Sequence, residues 1–138
     1  VPAACRETPP PGLLKGIEEF NRGEFYQCHD TLEELWMAEA RPIRHLYQGI
    51  LQIGVAFYHL GRGRYRPALS LLQSGSDYLQ PFSPICMGVH VDPLREGAFL
   101  CRSAVVKLGP EGLNEFDWTL VPRIRVTKQR PKVDHTNE

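Results

Sequence analysis

Between Ile43 and Leu60 the chain carries its most apolar stretch, and the spacing inside it is helical rather than alternating. Ile43, Leu46, Ile50, Leu51, Ile53, Gly54, Phe57, Tyr58 and Leu60 cover about two-thirds of a helical circumference. A helix with so much apolar girth must be wrapped by others, which places it at the centre of a bundle. Gly49, Gly54 and Ala56 let neighbouring backbones approach it closely. The longest unbroken apolar run, Ile53 to Tyr58, falls far short of the roughly 20 residues a membrane span needs.

Four further segments carry helical periodicity around this one. Leu13, Leu14, Ile17 and Phe20 mark a first helix over 12–22, started after Pro9, Pro10 and Pro11 and stopped by Asn21 and Gly23. A second, from about Glu24 to Ala40, puts Phe25, Cys28, Leu32, Leu35 and Trp36 on one face and Gln27, Asp30, Thr31 and Glu34 opposite. Arg41-Pro42 opens the central helix, with proline suited to a first helical position. Gly61-Arg62-Gly63 separates it from a fourth helix, Tyr65 to Gln80, which Pro81 and Pro84 end. Asp92-Pro93 supplies an N-cap and first-turn proline for a fifth, and Gly109-Pro110 stops it. The expected fold is all-α: an antiparallel bundle of about five helices, with an N-terminal tail over 1–11 and a helical domain over 12–113.

Residues 114–138 lack that period and read as an extended or disordered tail. Phe116 and Trp118 are aromatic anchors, and from Thr119 onward there are five basic residues, Arg123, Arg125, Lys128, Arg130 and Lys132, against two acidic ones. The chain's 16 basic and 16 acidic residues therefore hide an asymmetry. Residues 12–118 carry 10 basic and 13 acidic side chains, so a mildly acidic body is cancelled by a basic tail. This balance argues against a wholly basic nucleic-acid binder, and it marks the tail as the segment that meets a partner.

Cys5, Cys28, Cys86 and Cys101 are too few and too scattered for a disulfide scaffold and have no zinc-finger spacing. Reduced, mostly buried thiols in a reducing compartment are the expectation. No phosphate-binding glycine loop or nucleophile elbow occurs. Neither a cofactor nor a bound metal is expected.

The string Gly23-Glu-Phe-Tyr-Gln-Cys-His-Asp-Thr-Leu-Glu-Glu-Leu-Trp36, with Tyr47-Gln-Gly-Ile-Leu-Gln and Tyr58-His59, resembles the DUF309 family of small helical proteins from bacteria, archaea and photosynthetic lineages. The family pattern falls on Gly23, Phe25, His29, Asp30, Leu32, Glu33, Trp36, Gln48, Gly49 and His59, and Pro84 to Gly88 resembles it too. The resemblance spans roughly residues 12–108 and implies a helical fold without implying any chemistry. The lineage and the absence of an initiator Met point to a plastid stroma, with a bacterial cytoplasm as the alternative.

His29 and Glu33 are four apart and share one side of the second helix, while Gln48, Gln52 and His59 lie in one narrow stripe of the third. If the stripe faces the second helix, the five form a polar cluster able to hold a divalent metal or act as an acid–base pair. Otherwise they are a register-fixing network, or the solvent stripe of a buried helix. Two functions follow. One is a helical interaction protein, an accessory subunit or assembly factor docking on a larger complex through its tail. The other is a metal-dependent or acid–base enzyme using His29, Glu33 and His59. The first gives the tail a role and is the leading expectation; nucleic acid as the partner is not favoured.

Overall fold

The computed structural model describes residues 1–128. Five α-helices make the body: α1 (Pro11–Asn21), α2 (Phe25–Ala38), α3 (Arg44–Gly61), α4 (Tyr65–Leu79) and α5 (Val91–Leu108). Between α4 and α5 lies a two-residue-strand hairpin, β1 (Ile85–Cys86) and β2 (Val89–His90). Short 3-10 turns cover Ala3–Arg6, Gln80–Phe82, Leu113–Glu115 and Trp118–Leu120. No helix among the described residues is long and apolar enough to cross a membrane.

Helix α3 is the central element, packed between α2 and α4, with α1 laid on α2 and α5 on α4. Leu46, Tyr47, Ile50, Ile53, Phe57 and Leu60 are buried, as the apolar girth requires. Its closest approach is to α4. A Cβ at Gly49 would sit 2.9 Å from the Gly75 carbonyl oxygen, and a Cβ at Gly75 would sit 2.9 Å from that of Gly49. The two glycines therefore set how near the helices come, and Leu79 fills the flank of the crossing.

Helix ends differ from expectation in local detail. Pro42 sits ahead of α3 in a turn whose amides bond three residues back, so the helix begins at Arg44. Asp92 lies inside the first turn of α5, where its charge suits the helix N-terminus, and His90 takes the cap position. At the end of α1 it is Gly23 (φ 76) that adopts the left-handed conformation, while Asn21 stays helical and turns its side chain to another task.

Two expectations are corrected. Cys5 and Cys86 are joined in a disulfide across 81 residues, leaving Cys28 and Cys101 as buried free thiols. Spacing along the chain carried no hint of this pairing, because the two cysteines meet only once the N-terminal turn folds against the hairpin. The segment after α5 is extended, as expected, but residues 114–128 are ordered on their own body. Phe116 and Ile124 are buried there, and Val126 forms an antiparallel bridge with Val89.

Candidate functional site

His29 projects from α2 with Nε2 2.9 Å from Glu33 Oε2 and Nδ1 3.2 Å from Asp30 Oδ1. Its ring thus touches two carboxylates at a half-exposed position, the i,i+4 pair that helical spacing predicts. Across from it, near the C-terminus of α3, stands His59. Phe25, Tyr26, His29, Val55, Tyr58 and His59 line one notch of about 130 Å³ between the two helices. Burial, with the neighbouring Arg64 adding to it, holds the His59 imidazole below its ordinary pKa. The Arg64 guanidinium lies 3.4 Å from His59 Nδ1, and Arg62 lies over the Tyr58 ring at 5.0 Å.

The expected convergence of five polar residues does not occur. Gln48 reaches His45 (3.3 Å), whose ring stacks on Tyr78 of α4, and Gln52 accepts a hydrogen bond from Ser74 of α4. The reason is α3's central position: its polar stripe runs past α4 for most of its length and meets the α2 notch only at His59. Gln48 and Gln52 lie roughly 10–16 Å below His59 along the helix axis. Among the described residues no group of three or more His, Cys, Asp and Glu side chains is arranged to hold a metal ion.

The tail residues divide into anchors and display. Phe116 is buried and packs edge-on against Trp118, ring centroids 5.2 Å apart. Trp118 covers Gly61 at the end of α3 and stays 45% exposed. These aromatics therefore hold the chain to itself. Beyond them, alternation takes over: Ile124 is buried while Arg123 and Arg125 point outward. Lys128 is exposed as well. Arg130 and Lys132 lie outside the described residues.

Ile124 is pinned by Asn21, whose amide donates to the Ile124 carbonyl at 2.9 Å and accepts from the Ile124 amide at 2.8 Å. Between α1 and this strand runs an open groove of about 630 Å³ lined by Leu14, Ile17, Glu18, Asn21, Arg22 and residues 123–126. Its floor is apolar, with Leu14 42% exposed. Its rim carries three arginines and one carboxylate, Glu18, which is already paired with Arg22. Among the described residues neither Arg123 nor Arg125 has a carboxylate partner. Asn21, Leu14 and Arg22 were not singled out as site residues by the sequence. The period-2 run Arg123-Ile-Arg-Val126 was the signal that a strand, with one face in and one out, was present.

A second exposed apolar surface lies on α5, where Phe99, Leu100 and Val106 face outward.

No curated protein matches the chain at a significant level. A family model does: DUF309, a domain of unknown function, matches residues 13–71. These residues contain α1, α2, α3 and the first half of α4, and so His29, Glu33, Gln48, Gln52 and His59, as well as the α1 side of the groove. The hairpin, α5 and the C-terminal strand lie outside the match. Over residues 13–71, therefore, the chain belongs to the DUF309 family.

Proposed function

We propose that this protein is a small helical docking module, an accessory subunit of a larger assembly, that receives an acidic segment of a partner protein in the groove between α1 and the C-terminal strand. The observation that supports this reading is the pair Arg123 and Arg125, displayed outward on either side of a buried, doubly hydrogen-bonded Ile124. Surface arginines on a loose tail pay entropy when they bind; here the backbone between them is already fixed, so less order is lost on docking. Their planar donors suit carboxylates, and Leu14 and Ile17 offer apolar area below them. The preferred segment therefore alternates carboxylates with aliphatic side chains.

Chemical-shift mapping with a short peptide of alternating Leu and Glu tests this. The expected result is a set of shifts at Leu14, Ile17, Arg22 and residues 123–126 that weakens as salt rises. Shifts confined to the α5 surface, or a single-stranded nucleic acid that takes the groove more tightly than the peptide, would overturn it.

A second reading, an acid–base enzyme using His29, Glu33 and His59, draws on one observation: both imidazoles line the same notch. Its test is a substrate-dependent proton transfer lost in His29→Gln without loss of melting temperature.

A further inference from the structure

The hairpin turn from Cys86 to Val89 is where both ends of the chain meet. Its two central residues are left-handed, Met87 at φ 52 and Gly88 at φ 78, the combination that two-residue hairpin turns favour. Glycine adopts this freely, whereas a long side chain such as Met does so only when its surroundings hold it there. Three contacts hold Met87. Its amide donates to the Cys5 carbonyl at 2.7 Å, its buried sulfur lies 3.9 Å from the Tyr47 hydroxyl, and the adjoining Cys86 is covalently joined to Cys5. The other side of the turn holds the C-terminal strand. The Gly88 carbonyl accepts from the Thr127 amide at 2.7 Å, and the His90 amide donates to the Arg125 carbonyl at 3.0 Å. These two bonds flank the Val89–Val126 bridge. A four-residue turn thus carries a covalent bond to the N-terminal segment on one side and the amides that seat Arg125 on the other.

We propose that the Cys5–Cys86 disulfide is a redox latch: when it is closed the C-terminal strand is zipped to β2, and when it is reduced the strand is released and the groove opens out. The latch regulates the docking surface proposed above and rests on that reading for its purpose, but not for its structural effect. The reductant is a dithiol. Its thiolate attacks Cys5 Sγ, because Cys5 is 8% exposed and Cys86 is fully buried. The S–S bond breaks, and Cys86 leaves as a thiolate and takes up a proton. The dithiol's second sulfur then displaces Cys5, which leaves protonated, and the dithiol closes into a cyclic disulfide. Two electrons and two protons pass to the protein. Without the bond, the N-terminal segment keeps only the Cys5–Met87 hydrogen bond and the exposed Glu7–Arg41 ion pair, at 2.8 Å, as polar ties to the rest. Met87 then relaxes out of its left-handed conformation and carries Gly88 and Val89 away from the strand.

Native-state hydrogen exchange on the full chain, with the disulfide intact and after reduction by dithiothreitol, tests the latch in the absence of any partner. The expected result is that the Thr127 and His90 amides exchange at least tenfold faster in the reduced protein. Ile50 and Ile53 in α3 stay within about twofold, and reoxidation restores the first state. Cys5→Ser is expected to reproduce the reduced pattern without reductant. Unchanged exchange at Thr127 and His90 in protein whose mass confirms full reduction would overturn the proposal. So would equal acceleration in α3, which would make the bond a global staple. Adding the Leu–Glu peptide separates the two readings. Faster exchange on reduction with no peptide bound in either state removes the docking function and leaves the latch. Equal binding in both states with unchanged exchange removes the latch and leaves the docking function.

Discussion

The side chain of Asn21 pairs with the backbone of Ile124 as a neighbouring β-strand would, donating to its carbonyl and accepting from its amide across 103 residues of sequence. Helix α1 thus seats an extended segment with one primary amide. Asn21→Ala leaves both half-buried backbone groups without partners, which is expected to cost about 1–3 kcal/mol. Asn21→Asp keeps the acceptor but faces the Ile124 carbonyl with a second acceptor, so it is not expected to rescue. Urea denaturation checks the cost as a lowered midpoint, and trypsin cleavage at Arg123 and Arg125 is expected to quicken in both variants.

The α3–α4 crossing tolerates no side chain. Gly75→Ala places a methyl 2.9 Å from the Gly49 carbonyl oxygen and 2.8 Å from Ile53 Cγ1, so the helices must separate. A loss of about 1–3 kcal/mol is expected from such overpacking, read as a lower melting temperature. Gly54→Ala, whose new methyl meets only ordinary contacts at 3.5 Å and beyond, is expected to cost less.

The two free cysteines are chemically quiet. Burial pushes the Cys28 thiol up to about 12, with the Glu19 charge adding to it, and burial alone pushes Cys101 up to about 12. Thiolate is the reactive form, so iodoacetamide at mildly alkaline pH is expected to leave the native protein unlabelled. Two labels are expected on denaturation without reductant and four with it, counted by intact mass.

The His59 ring links stability to pH. Its folded pKa lies below the ordinary 6.5, first through burial and then through Arg64. The unfolded chain therefore binds a proton that the folded one resists, and stability from this group rises with pH. Its contribution is complete above about 6.5 and is lost as pH falls from there through the depressed folded value. His59→Gln removes that dependence. Melting temperatures of the variant and the parent are expected to diverge below pH 6.5 and run parallel above it.

Why some of this was readable in the sequence and some was not follows from the range of the interactions. The five helices, and the central place of α3, come from local periodicity, which the chain displays residue by residue. The closeness at Gly49 was also foreseeable, though its partner Gly75 was not, since nothing in one helix reports which residue of another it meets. His29 and Glu33 pair because i,i+4 geometry is intrinsic to a helix. Gln48 and Gln52 turned to α4 because the packing partners of a stripe depend on the whole bundle. The disulfide and the Asn21–Ile124 clasp join residues 81 and 103 positions apart, and both depend on how the chain's ends return to the body.

The central claim is that Arg123 and Arg125, held rigid by the clasp, bind carboxylates of a partner segment. Titration calorimetry of the Leu–Glu peptide into the oxidised protein and into Arg123→Glu/Arg125→Glu tests it most directly, since both side chains are exposed and their replacement leaves the core untouched. The account predicts at least tenfold weaker binding in the double variant, about 1.4 kcal/mol or more. It also predicts that the remaining affinity is no longer weakened by salt. Equal affinity in the two proteins would contradict it.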